Sequence, residues 1–155
     1  MIIAGTGHRP DKLGGYSTPV LEKAILVATN WLTINKPDTV ISGMALGWDQ
    51  ALAIAAIRLK IPVTAAIPFA GQEFKWPAKS QDLYLRILNN CAEQVIVCKG
   101  GFKPASMQIR NEWMVDHADT ILALWNGSSG GTANCVEFAR YMKKPIINLW
   151  DKFNL

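Results

Sequence analysis

The chain has no apolar run near the roughly 20 residues that a bilayer-crossing helix needs. Its longest apolar stretches are broken by Gly, Pro or charge, so no transmembrane segment is expected. It also lacks the basic start and long apolar stretch of a secretion signal, because Met1 to Ala4 is followed at once by Gly5-Thr6-Gly7. A cytoplasmic protein is expected. Cysteine is scarce: Cys91, Cys98 and Cys135 are odd in number, lack CxxC spacing and sit among apolar neighbours. A disulfide framework or a zinc site is therefore not expected, no metal is called for, and the thiols read as reduced and buried. Basic residues never cluster in a run of four, so no extended nucleic-acid stripe is visible. Internal repeats, low-complexity tracts and Ser/Pro-rich linkers are missing too, as are GxGxxG and GxxxxGK[ST]. A standard dinucleotide fingerprint and a P-loop ATPase are thereby disfavoured.

What is present is apolar material for one core. The 155 residues are 50% hydrophobic and 18% charged, which suits one compact domain and excludes a disordered chain. A net charge of +4 permits an anionic ligand without requiring one. Short apolar runs alternate with helix-length amphipathic stretches from end to end, the pattern of βαβ units. Strands are expected at Met1 to Gly5, Thr39 to Ser42, Ile61 to Ile67, Gln94 to Cys98, Thr120 to Trp125 and Pro145 to Leu149. Most are continuous apolar or β-branched runs, as when helices cover both faces of a mostly parallel sheet. The first helix should start at Ser17-Thr18-Pro19, with a hydroxyl cap and Pro in the first turn, and bury Leu21, Ala24, Ile25, Ala28 and Leu32. Further helices are read at Trp48 to Leu59, Ser80 to Cys91, Ala105 to His117 and Thr132 to Met142. The fold class expected is α/β: a single three-layer domain over residues 1–155, with a mostly parallel sheet of about six strands flanked by helices.

In such a sheet ligands bind beyond the carboxyl ends of the strands. Three glycine-rich turns should meet there: Gly5-Thr6-Gly7-His8-Arg9 after the first strand, Ser42-Gly43-Met44 through Asp49 after the second, and Asn126-Gly127-Ser128-Ser129-Gly130-Gly131-Thr132 after the fifth. Glycine lets backbone approach a ligand, and free N–H groups at a helix start attract phosphate. The segment Gly127 to Thr132 reads as a phosphate cradle; the alternative is an ordinary turn followed by a Thr cap. Arg9 can grip a phosphate or carboxylate, or make a surface ion pair. His8 carries a weaker signal, since a lone histidine is usually packed or solvent-facing. Asp49 fits a ribose hydroxyl or simple helix capping. Glu137, on the second turn of the cradle helix, can face the rim or pair with Arg140. The loop Pro68 to Lys79, with Phe69 and Trp76, is either pinned to the body or part of a site.

Taken in order, Gly7-His8-Arg9, Ser42 to Asp49, Pro68-Phe69 to Trp76-Pro77, Arg110-Asn111-Glu112-Trp113-Met114-Val115-Asp116-His117 and Gly130-Gly131-Thr132-Ala133-Asn134 form a set that covers nearly the whole chain. That set resembles the SLOG superfamily of Rossmann-like proteins, and within it the YpsA-like branch. The resemblance implies a single domain that binds a nucleotide or nucleotide-derived small molecule, as sensor, carrier or sequestering module, with no cofactor required. Superfamily relatives often pair, so a homo-oligomer is an expectation. The superfamily also contains cytokinin-activating phosphoribohydrolases, which split base from ribose 5′-monophosphate using a helical Arg and a Gly-Gly-x-Gly-Thr-x-x-Glu turn. Arg110 is similar to that Arg. The turn here lacks the intervening residue and places Glu137 five positions after Thr132 instead of three. If the chain is an enzyme, Arg110 and Glu137 are the catalytic candidates for an N-glycosidase. A third reading, single-stranded nucleic-acid binding as in the more distant DprA proteins, draws on the mild positive charge and six Trp available for stacking.

Overall fold

The computed structural model describes residues 1–154. The alternation of apolar runs and amphipathic stretches becomes thirteen elements in the order β1 (Ile2–Gly7), α1 (Pro10–Leu13), α2 (Thr18–Asn35), β2 (Thr39–Ser42), α3 (Trp48–Arg58), β3 (Val63–Ile67), α4 (Ala78–Asn89), β4 (Glu93–Ile96), α5 (Ser106–His117), β5 (Thr120–Leu124), α6 (Gly131–Tyr141), β6 (Ile146–Asn148) and α7 (Trp150–Phe153). Every strand pairing is parallel, and the sheet runs β4-β3-β2-β1-β5-β6. The sheet is thus wholly parallel, a Rossmann-like α/β fold.

Period-two alternation along the central strands splits the core. Ile3, Val40, Ala65 and Leu122 point to one face, where α2, α3, α4 and α7 supply Ala28, Leu32, Trp48, Leu52, Tyr84 and Phe153. Ala4, Ile41, Ala66 and Ile121 point to the other, against Met114 and Val115 of α5 and Cys135 and Ala139 of α6. Both faces are covered, which is why these strands read as unbroken apolar runs.

Local chemistry moves several boundaries. β1 runs on to Gly7 because its last residues pair with Ala123 and Leu124 of β5. β3 starts at Val63, after a Pro that has no N–H to give a ladder. α2 does begin beside Ser17, but that hydroxyl makes no capping bond; Pro19 in the first turn already removes one donor that would need a partner. The four-residue helices α1 and α7 are too short for apolar periodicity to reveal. All three cysteines are free; Cys135 is buried, whereas Cys91 and Cys98 are only partly so, a correction to the expectation of buried thiols. Among the described residues no helix is long and apolar enough to cross a membrane.

Candidate functional site

The strand order reverses at β1. From it the chain builds outward through β2, β3 and β4, then returns to the opposite side for β5 and β6. Where the connections diverge they leave a crevice at the carboxyl ends of β1 and β5. A cavity of about 350 Å³ lies there, within the range of small-molecule sites.

Its walls come from four places. The end of β1 gives Thr6, Gly7, His8 and Arg9, and α1 adds Asp11 and Lys12. The turn after β2 contributes Ala45 and Asp49; α5 contributes Met107, Arg110, Asn111 and Met114. The fourth wall is Ser129 to Thr132, the entry to α6. Gly130 holds the N-cap position of α6 at φ 139°, and no side chain caps the helix. Thr132 is therefore not the cap of an ordinary turn. A Cβ added at Gly130 or Gly131 would meet nothing within 4 Å, so this backbone faces open space. Unsatisfied N–H groups and the positive end of the α6 dipole are thereby presented to the cavity.

The other turns pack tightly where this one is open. Gly47, at φ 93°, sits so close to the β1 turn that a Cβ would lie 2.5 Å from the His8 carbonyl oxygen. Trp48 donates its backbone N–H to that same oxygen and its indole N–H to the Leu122 carbonyl, both at 3.2 Å. Its ring fills the space over Gly7, where a Cβ would come within 2.5 Å. Gly5 likewise makes room for Leu52. Ser42 stitches its own turn, donating to the Asp49 carbonyl at 2.7 Å and accepting the Met44 N–H at 3.1 Å. That bond helps hold the buried Met44 at φ 63°, a conformation unusual for a residue with a side chain.

Arg110 is buried, 5% exposed, and makes no carboxylate ion pair among the described residues. Nη1 donates to the carbonyls of Gly43 at 2.5 Å and Ala66 at 3.3 Å, and Nε donates to Asn111 Oδ1 at 3.2 Å. Burial lowers its pKa, opposed by the field of Asp49. A Cβ on Gly43 would sit 2.6 Å from Nη1 and 3.0 Å from Asp49 Oδ2, so only glycine leaves room for both groups. Asp49 is buried too, and loss of hydration pushes its carboxyl up to about 6, against the pull of Arg110, the Ala45 N–H at 3.3 Å and Arg9. His8 is held by Asn126, whose Oδ1 and backbone nitrogen lie 2.8 and 3.0 Å from Nε2; burial lowers the ring's pKa. Lys12 Nζ donates to Ser128 Oγ at 2.9 Å and to the Ser129 carbonyl at 3.3 Å, tying α1 to the cradle loop. With three cationic and two anionic side chains on its walls, the cavity is a polar site biased toward an anion.

Of the residues singled out in the sequence, Thr6, Gly7, His8, Arg9, Asp49, Arg110, Gly130, Gly131 and Thr132 line this cavity. Ser42, Gly43, Met44 and Asn126 lie outside its lining and brace residues that form it. Ser128 anchors Lys12, and Gly127 shapes the same loop at φ 92°. Pro68 and Phe69 are elsewhere: the Pro68 carbonyl accepts from Cys98 N–H at 3.0 Å, and Phe69 packs edge-on against Phe102. Glu137 is exposed on α6, outside the cavity lining, and Arg140 lies over the Trp125 ring instead of pairing with it. The sequence does not single out Asp11 and Lys12, and Ala45, Met107, Asn111 and Met114 are not among the site residues it suggests. Position alone signals the first two, since they follow His8 and Arg9 in the turn that leaves β1.

The family model described as the YspA SLOG family matches residues 3–145. An uncharacterized SPbeta prophage-derived protein, YoqJ, of Bacillus subtilis (strain 168) is 34% identical over 151 residues, spanning 86% of this chain and 88% of its own. A UPF0398 protein of Bacillus thuringiensis (strain Al Hakam) is 25% identical over 166 residues, covering 99% and 90%. Among solved structures, DNA processing protein A of Streptococcus pneumoniae superposes with a TM-score of 0.68 at 19% identity, over 94% of this chain but only 49% of its own. The molybdenum cofactor binding protein of Rippkaea orientalis gives 0.63 at 15% identity, over 95% and 74%. This chain spans about half the length of the former, and the likeness of both is one of fold. With a family model matched over nearly its full length and a relative of comparable size sharing a third of its residues, the chain belongs to the YpsA-like branch of the SLOG proteins.

Proposed function

We propose that the protein binds a nucleotide or a nucleotide-derived small molecule, with its phosphate at the entry of α6. The observation that carries this reading is the uncapped N-terminus of α6 facing a cavity of about 350 Å³ on which Arg9, Lys12 and Arg110 converge. Backbone N–H groups and a planar guanidinium are the donors best matched to phosphate oxygens. The apolar stretch of the α5 wall, Met107 and Met114, gives a base or another flat group something to lie on. The position of Glu137, exposed and outside the cavity, counts against the base-removal role that the alternative gives this residue.

Thermal-shift and calorimetric titrations with nucleoside mono-, di- and triphosphates, ADP-ribose, NAD and cyclic dinucleotides test the proposal. At least one should raise the melting temperature, and Arg110→Met should abolish that rise. A flat response across the panel removes the reading. Incubation with nucleoside monophosphates followed by chromatography for free base tests the hydrolase alternative, and release of base that survives Glu137→Gln would place any catalysis on other residues.

A further inference from the structure

Two carboxylates line the cavity. Asp11 is exposed; Asp49 is buried at 7% exposure. Asp49 Oδ2 accepts one long hydrogen bond, from the Ala45 N–H at 3.3 Å, and no Lys, Arg or His nitrogen among the described residues forms an ion pair with it. Arg110, its natural partner, bonds the carbonyls of Gly43 and Ala66 instead. Any guest in the cavity therefore meets an unpaired buried carboxyl group. Ionised, that group repels an anion at short range in surroundings of low dielectric; protonated, it becomes an O–H donor to the same anion.

We propose that Asp49 makes this a proton-coupled anion site: a guest bearing phosphate or sulfate oxygens enters together with one proton, which is held on the Asp49 carboxyl. The inference rests on the anion-binding reading and adds its regulation. Burial holds the free carboxyl near a pKa of about 6, so the proton is available close to neutral pH. The groups that face it divide cleanly. Arg110 from α5 and Arg9 and Lys12 from the β1–α1 segment are the cationic side chains on the same walls. Cys135 of α6 is pushed up to about 11 by burial, and burial raises Tyr84 of α4 as well, so both stay neutral. Asp11 is solvated, and Glu73, in the loop before α4, acts on Tyr84 and lies outside the cavity lining. His8 also lines the cavity, and its lowered pKa leaves it neutral at pH 7. If the complex keeps the Asp49 proton, affinity falls by about tenfold per pH unit once the free carboxyl has ionised.

The experiment uses ADP-ribose and sodium sulfate, whose charges do not change between about pH 5 and pH 8. Calorimetric titrations are run at about pH 5.5 and about pH 8, each in two buffers of different ionisation enthalpy, on the unaltered protein and on Asp49→Asn. Affinity at the higher pH should be at least tenfold weaker, with about one proton taken up per guest bound, and Asp49→Asn should bind with no pH dependence and no uptake. Equal affinity at the two pH values, or a pH dependence that persists in Asp49→Asn and disappears in His8→Gln, overturns the inference while leaving the anion site intact. If Asp49→Asn does not fold, the proton count on the unaltered protein decides, and a count near zero overturns it. Failure of both probes to bind at either pH overturns the anion-binding reading itself.

Discussion

Gly43 shows what one residue decides in this protein. Its φ is not positive, so its identity is not a matter of backbone freedom. Its hydrogen faces the Arg110 guanidinium on one side and the Asp49 carboxylate on the other. Replacing it with alanine puts a methyl group 2.6 Å from Nη1, an atom that also donates to the Ala66 carbonyl, on a guanidinium whose Nε is engaged by Asn111. Arg110 must move, and overpacking of this kind costs about 1–3 kcal/mol. Gly43→Ala should lower the urea midpoint by that amount and reduce ligand affinity at least as strongly as Arg110→Lys. An unchanged midpoint would mean that the guanidinium has somewhere else to go. The need for glycine at this point was not legible in the sequence, because the residue that demands it is 67 positions away.

At the scale of elements, α1 and the entry of α6 act as a pair. α1 is a single turn opened by Pro10, with Leu13 buried beneath it and Lys12 reaching across to Ser128 and the Ser129 carbonyl. Lys12 is exposed, and exposed pairings of this kind contribute little to stability. Lys12→Ala should therefore change the unfolding free energy by less than about 0.5 kcal/mol. It should nevertheless weaken anion binding severalfold, by removing a positive charge and freeing the cradle loop, and calorimetry compared with chemical denaturation would separate the two effects. The glycine and hydroxyl content of Gly127 to Thr132 announced the cradle, and the helix start fell within one residue of the expected one. The partner element escaped notice, since one turn of helix after Arg9-Pro10 has no periodicity to read.

For the whole molecule, burying Asp49 has a global consequence. Its carboxyl stands at about 6 in the folded chain against an ordinary 3.8, so the folded state holds more protons than the unfolded one between those values. Stability contributed by the protonated group is complete below about pH 4 and is lost as pH rises through 6. The difference of about two pKa units corresponds to at most about 3 kcal/mol. Urea denaturation between about pH 4 and pH 7 should show this decline; the opposite trend of Asp38, whose pKa is lowered by the N-terminal amine, falls below that range. Asp49→Asn should remove the decline. A variant curve parallel to that of the unaltered protein would place the titrating group elsewhere.

Apolar runs, their spacing and the glycine turns lie along the chain, and they were enough to determine an α/β domain, six strands, the helices between them and the rim on which a ligand would sit. Periodicity is a local property: which face a residue turns to the core depends on its near neighbours and survives in the order of the letters. Only the tertiary structure decided that the sheet reverses its order between β1 and β5, that Arg110 lies against Gly43 beside Asp49, and that Glu137 turns outward while Lys12 turns in. Those facts depend on how separate elements stack and on what each buried charge finds beside it, and neither distance nor dielectric is written in a linear sequence.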